Sequence, residues 1–246
     1  MRLIDINCDM GEGLQNDEAL MHYITSANIA CGYHAGDAVI MERTVELALK
    51  YEVAVGAHPG FNDKENFGRT EMKLPLNEIY DLVVDQVMAL QQIAKKNGTA
   101  LRHVKPHGAL YNMSAKDPLI ANTIAKAVYA IDPQLVLFGL SGSHSISEAQ
   151  RSGLKTASEV FADRSYQDDG SLTPRSHLNA MIGSTEQSLQ QVLQMVCEHT
   201  VCSVSGLQVP IIAETICIHG DGEHALAFAE AIFQTLQKHQ IGIIKE

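Results

Sequence analysis

Basic residues are scarce in this chain: 18 Lys and Arg stand against 29 Asp and Glu over 246 residues, a formal net charge of −11. Nucleic-acid binding needs a basic face to displace counterions from phosphates, and no local Lys/Arg cluster offsets the deficit. Long apolar runs are missing too. None approaches the roughly 18 residues of a bilayer-crossing helix. The opening MRLIDINCDMGEG meets carboxylates too early for the apolar segment of a secretion signal. The five cysteines, Cys8, Cys31, Cys197, Cys202 and Cys217, include no CxxC pair, so neither a disulfide framework nor a zinc knuckle is indicated. Cys8, Cys31 and Cys217 fall within expected strands or at their ends, where a free thiol acts as a small hydrophobe. These features imply a reducing cytoplasm, with no nucleic-acid or membrane partner.

Nucleotide and nucleophile motifs are also lacking. There is no GxxxxGK[ST] cradle for a triphosphate. Gly11-Glu12-Gly13 is only half of a dinucleotide fingerprint, and Glu12 would repel a pyrophosphate. Gly139-Leu140-Ser141-Gly142 has a glycine one position too early for a serine nucleophile elbow.

What the chain does contain is alternation. Hydrophobic residues make up 46% of it and charged residues 19%, enough for a full core. All-apolar runs near 3–7, 27–31, 53–57, 101–105, 135–140, 156–161 and 211–218 read as strands covered on both faces. Helical periods lie between them. Asp37 caps one carrying Ile40, Leu47 and Ala48; Pro75 and Asn77 open a long one that Asn97-Gly98 stops. Asp117-Pro118 and Ser184 start two more, and the last runs through Leu226, Ala229, Phe233 and Leu236. Residues 60–75 and 163–183 are long polar loops, and 200–212 reads as a hairpin excursion around Ser205-Gly206. With no linker, the pattern predicts one parallel α/β domain over 1–246. A barrel is preferred to an open doubly wound sheet, because polar residues follow nearly every strand rather than one switch point.

Those polar strand ends hold the chemistry: LIDINCDMGE, SANIACGYHAGD, VAVGAHPGFND, LRHVKPHGALYN and ETICIHGDGEH. Asp9, beside Asn7 with Glu12 nearby, is a candidate general base or a turn aspartate. His34 and Asp37 follow the second strand, where Asp37 serves equally well as a plain helix cap. His58 precedes Pro59-Gly60 and sits where the chain turns sharply out of a buried strand. Lys105 and His107 flank Pro106, which keeps both out of a helix, after a strand containing His103. A part-buried lysine there can act on a developing oxyanion; the alternative is a lysine that snorkels to solvent. His219 and Asp221 close the last strand, and Asp221 alternatively caps the final helix. Arg69, Arg164 and Arg175 stand in the long loops, suited to grip a carboxylate. His34, His58, His107 and His219 with Asp9 or Asp221 could hold a metal. No HxxxH or HxH brings them together, so the ligands would have to assemble from separate strands.

The runs DINCDMGE, NIACGYHAGD, GAHPGF, FGR, VKPHGALYN, EVFADR and ICIHGD, in this order from residue 5 onward, resemble the LamB/YcsF family. The resemblance implies a distorted seven-stranded parallel (β/α) barrel of the glycoside hydrolase/deacetylase type. It also implies ATP-dependent opening of the 5-oxo-L-proline lactam to L-glutamate, as the A component of 5-oxoprolinase with partner subunits B and C. ATP would be a co-substrate bound with or by the partners, since the chain has no triphosphate cradle. On this basis Asp9, His58, Lys105 and His107 are expected to be catalytic: Asp9 as base, the histidines as proton shuttles, Lys105 as oxyanion stabiliser. Asn7, His34, Arg69, Glu159, Arg164, His219 and Asp221 are expected to bind substrate. Related deacetylases carry two aspartates after the first strand, a base and a metal ligand. Here the pair reads Asp9-Met10, a thioether in the ligand position, so no firm metal is expected. Two rival readings are a metal-dependent carbohydrate deacetylase and a non-catalytic protein that delivers substrate to its partners.

Overall fold

The computed structural model describes residues 3–219 and 225–244. In chain order its elements are β1 (Leu3–Met10), α1 (Asp17–Leu20), β2 (Ser26–Ala30), α2 (Ala38–Lys50), β3 (Ala54–His58) and α3 (Leu76–Lys96). Next come β4 (His103–Val104), α4 (Gly108–Lys116), α5 (Pro118–Ile131), β5 (Val136–Leu140), α6 (His144–Arg151) and β6 (Lys155–Phe161). The chain ends with α7 (Thr185–Leu193), β7 (Thr200–Cys202), β8 (Gln208–Pro210), β9 (Thr215–Ile218), α8 (Ala225–Lys238) and β10 (Gly242–Ile243).

Seven parallel strands close on themselves in the order β1-β2-β3-β4-β5-β6-β9, with β9 pairing back onto β1 from Asp5↔Thr215 to Cys8↔Ile218. This is the expected closed barrel. Strand β10 adds to the start of β1, and β7 and β8 form the antiparallel excursion expected around Ser205-Gly206. Among the described residues no helix is long and apolar enough to cross a membrane.

The helix starts follow their caps. The Asp37 carboxylate accepts from the backbone N–H of Val39 and Ile40, so the capping reading of that residue holds. Asp117 does the same for Leu119 and Ile120 ahead of Pro118. Helix α2 buries Met41, Thr44, Val45 and Ala48 at helical spacing, whereas Ile40 and Leu47 are half-buried at the border of that face. In α8 the buried set is Ala225, Phe228, Ala229, Ile232 and Leu236; Leu226 is exposed and Phe233 half-buried. The short helices α4 and α6 have no counterpart in the sequence reading. Their buried faces mix small and polar residues, Ser114 in one and Ser145 and Glu148 in the other, which hides the apolar period.

Barrel interiors are commonly filled by branched apolar layers; this one is polar. On β1 the side chains alternate, with Ile4, Ile6, Cys8 and Met10 in the hydrophobic core and Asp5, Asn7 and Asp9 in a buried polar network. The Asp5 carboxylate accepts from Thr25, Ser26 and Thr215 hydroxyls. Asn7 Nδ2 donates to Thr215 Oγ1 at 2.7 Å, and Asn28 Nδ2 donates to Asn7 Oδ1 at 2.7 Å and Asp9 Oδ1 at 2.8 Å. His103 Nε2 donates to Asn28 Oδ1 at 2.8 Å, and its ring stacks on Phe138. Each donor meets an acceptor, which is the condition for burying polar groups at tolerable cost.

Gly56 on β3 makes room for His103. A Cβ added there would stand 2.0 Å from His103 Nε2, so Gly56→Ala must expel the ring. The expected cost is about 3 kcal/mol or more, from overpacking and a broken buried hydrogen bond. Gly183→Ala, where an added Cβ meets nothing within 4 Å, serves as the neutral control in a urea melt. Equal midpoints for the two variants would contradict this packing.

Candidate active site

A cavity of about 280 Å³ opens where the barrel strands end. Asp9, His58, Lys105, His107 and His219 line it, with Arg69, Arg164 and Arg175 from the two long loops and Tyr111, Phe67 and Phe161 as apolar wall. Helix α3 positions the first loop: Gln86 accepts from the Gly60 N–H at 3.0 Å and donates to its carbonyl at 2.9 Å. The second loop folds on itself through backbone pairs such as Ser165 N–H to Ala180 O and Thr173 N–H to Ser165 O.

Lys105 does not snorkel. Its side chain is 3% exposed and turns into the barrel. Nζ lies 2.9 Å from Asp9 Oδ1, 2.9 Å from Glu159 Oε1, 3.1 Å from Asn7 Oδ1 and 3.1 Å from Cys217 Sγ. Burial by itself would lower the ammonium pKa, but the Asp9 and Glu159 carboxylates outweigh it and hold the value well above the ordinary lysine range. Burial likewise pushes Asp9 upward, and the His58 and Lys105 charges reverse that, leaving its carboxyl well below the usual range. Asp9 is therefore ionised, with Oδ1 on Lys105 and Oδ2 3.3 Å from His58 Nε2.

Asn7 and Glu159 are fully buried beneath Lys105 and do not line the cavity. Both hold the lysine, and neither is among the residues that face the cavity, where a substrate contact was expected of them. Cys217 is more than a core thiol, since it accepts from the ammonium, and burial pushes its own pKa well up so that it stays a thiol.

The histidines form one knot. His58 Nδ1 donates to the Lys105 carbonyl at 2.7 Å, and His107 Nε2 donates to the Phe67 carbonyl at 2.8 Å. Their remaining nitrogens, His58 Nε2 and His107 Nδ1, face each other at 2.9 Å. Proton shuttling between them, as expected from sequence, meets an obstacle: in the neutral pair both donor hydrogens are already committed to carbonyls. His34 stacks on His107 with ring centroids 3.7 Å apart and planes 4° from parallel. It is 1% exposed, packs against His107 and is not among the residues that line the cavity, where a substrate contact was expected of it. Burial, with the neighbouring His58 charge, pushes His34 down to about 3 and holds His107 well below its ordinary value. Gly68, at φ +65°, lets the loop pass over this stack; a Cβ there would come within 2.7 Å of His34 and 2.9 Å of His107.

His219 Nδ1 lies 2.9 Å from Asp163 Oδ1, and its backbone N–H donates to the same carboxylate at 3.1 Å. Asp163 was missed because it reads as a loop residue. The Arg164 guanidinium is fixed by Thr173 and Ala180 carbonyls, and burial, with the Arg175 charge, lowers its pKa to about 10. Arg69 lies over the Phe67 ring at 4.9 Å. Asp221 lies outside the described residues. Asn28 was also missed. Polar residues at alternate positions of a buried strand, as in Asp5, Asn7 and Asp9, are the signal that points into a lumen and would have found it beside Ser26.

Among the described residues two groups could hold a metal: Glu12, His34, His58 and His107, and Asp9, Cys217 and His219, each with ligand atoms within 4.8 Å of one another. The Lys105 ammonium already occupies the second, 3.1 Å from Cys217 and 2.9 Å from Asp9. Met10 is fully buried in the core on the opposite face of β1 from Asp9. The expected thioether in a ligand position is therefore corrected: strand alternation turns residue 10 away from the site.

The chain is 54% identical over 241 residues to a Brevibacillus brevis protein named as the A component of 5-oxoprolinase, covering 96% of this chain and 95% of that one. Its structure superposes on a lactam utilization protein from Thermus thermophilus with a TM-score of 0.93 and 38% identity, covering all of both chains. A family 4 carbohydrate esterase from Streptomyces lividans shares the fold at a TM-score of 0.51 and 14% identity, over 98% of this chain and 91% of that one. The LamB/YcsF family profile matches residues 4–245, so the chain belongs to the LamB/YcsF family.

Proposed function

We propose that this chain is the A component of an ATP-dependent 5-oxoprolinase and carries the ring-opening half of the reaction. The observation that carries the reading is the buried Asp9–Lys105–Glu159 group under a cavity bounded by Arg69, Arg164 and Arg175. The names of relatives above half identity supply the substrate class.

A five-membered lactam is a poor electrophile. Transfer of the ATP γ-phosphoryl group to its carbonyl oxygen makes it a good one and releases ADP. That step needs a triphosphate cradle which this sequence lacks, and we assign it to subunits B and C, wholly or in part. Water then adds to the ring carbon, its proton passing to Asp9 Oδ2. The C–N bond breaks as the departing amine takes up a proton. Hydrolysis of the resulting acyl phosphate yields L-glutamate and phosphate. A carboxylate with a depressed pKa is a weak base, and it is adequate only because the lactam is already activated. Lys105 holds Asp9 ionised and places a fixed positive charge beside the carbon where oxyanion character develops. The arginines bind the substrate carboxylate.

The test is turnover of 5-oxoproline and ATP by the chain alone and with candidate B and C subunits. Glutamate and ADP are expected in equal amounts only from the mixture. Release of acetate from acetylated sugars by the chain alone would favour the deacetylase reading instead.

A further inference from the structure

We propose that His58 Nε2, His107 Nδ1 and the Glu12 carboxylate form a binding site for one zinc-type divalent cation, with His34 positioning Glu12 from outside the ligand set. A nitrogen that faces a carbonyl must carry a hydrogen, so the Lys105 and Phe67 carbonyls fix the tautomers of His58 and His107. In the neutral rings the two nitrogens that remain are lone pairs, facing each other at 2.9 Å, with Asp9 Oδ2 3.3 Å from His58 Nε2. Two lone pairs and a carboxylate gathered at such distances repel unless a proton or a metal cation lies among them. Glu12 Oε1 is the third donor, 3.5 Å from His107 Nδ1 and within 4.8 Å of His58.

Ligands about 2.1 Å from a tetrahedral ion stand roughly 3.4 Å apart. The Glu12–His107 separation matches that spacing, and the His58–His107 contact is tighter by about half an ångström. Backbone carbonyls on the far nitrogens are the outer contacts that metal-binding imidazoles use to fix tautomer and ring orientation. A set of two imidazoles and one carboxylate suits zinc and its neighbours, and three protein ligands leave a position open toward the cavity.

His34 is excluded as a ligand by its stacking. An ion in the plane of His107 lies well out of the plane of a ring parallel to it at 3.7 Å, and imidazole lone pairs are in-plane. Its Nε2 donates instead to Glu12 Oε1 at 3.3 Å, leaving Nδ1 buried without a partner.

The cation site stands apart from the lactam reading, and its test reads metal rather than turnover. The full chain, stripped with chelator and checked by circular dichroism, is titrated with Co²⁺ and then with competing Zn²⁺. One equivalent of Co²⁺ is expected to give the visible bands of a four- or five-coordinate site, and Zn²⁺ to displace them. Glu12→Gln and His107→Phe are each expected to abolish the bands, while His34→Phe keeps the stoichiometry and weakens affinity by about 10–100-fold. Folded wild-type protein that binds no Co²⁺ would overturn the proposal. So would an imidazolium hydrogen found between His58 and His107 by nitrogen NMR in protein that ignores added metal, or binding that survives both ligand substitutions.

Discussion

Lys105→Met is expected to lower folding stability by about 3–5 kcal/mol and to abolish turnover. The methionine fills much of the same volume but leaves Asp9 and Glu159 buried without their shared countercharge. An uncompensated buried charge costs far more than the pair contributes, because desolvation has already been incurred. Against a typical stability of about 5–15 kcal/mol, the loss is large enough to read directly in a urea titration. Two controls isolate the cause. Lys50→Met breaks an exposed pair with Glu18 at 2.6 Å and is expected to leave the midpoint unchanged. Adding Glu159→Gln to Lys105→Met removes one of the stranded charges and should restore part of the loss, a non-additivity that a merely volumetric effect would not produce. A midpoint equal to wild type for Lys105→Met would mean that the lysine does not hold the barrel floor together.

Asp9→Asn is expected to reduce glutamate formation by the reconstituted complex about 10²–10⁴-fold, the usual contribution of a positioned base. Asparagine keeps the shape and the acceptor facing Lys105, which retains Glu159 and Asn7 as partners. The protein should therefore fold, and its secondary structure by circular dichroism should match wild type. Binding of 5-oxoproline should persist while turnover falls, a split between KM and kcat that separates a chemical role from a packing one. Undiminished turnover would remove Asp9 from the chemistry and leave substrate delivery as the better account of this protein.

Much of the architecture was legible in advance, for identifiable reasons. Strands buried on both faces advertise themselves as unbroken apolar runs, and Asp37, Asp117-Pro118 and Ser184 mark helix starts by local hydrogen bonding alone. Strand β4 is only two residues long, His103–Val104, paired with β3 and β5 inside the expected run 101–105. Helices α4 and α6 escaped notice because burial there involves serine and glutamate, not an apolar stripe.

The site was legible as a set of residue types and not as roles. Asp9, His58, Lys105 and His107 are local facts of strand ends, visible from Pro106 and from Pro59-Gly60. Their directions are not local. Whether Lys105 reaches solvent or the lumen depends on Asp9, Glu159 and Cys217, which come from β1, β6 and β9 and meet it only when the barrel closes. Asn7 and Glu159, expected at the substrate, lie buried against Lys105, and His34 lies buried against His107. Met10 shows the limit from the other side: one residue along a strand reverses the face, so adjacency to Asp9 in sequence placed it opposite the site in space.

Periodicity, caps and strand-end chemistry, all set by neighbours within a few positions, determined the barrel and named its reactive groups. The long-range strand pairings, sealed where β9 closes onto β1, decided the rest, because they bring buried charges and imidazoles close enough to set one another's ionisation, tautomer and orientation.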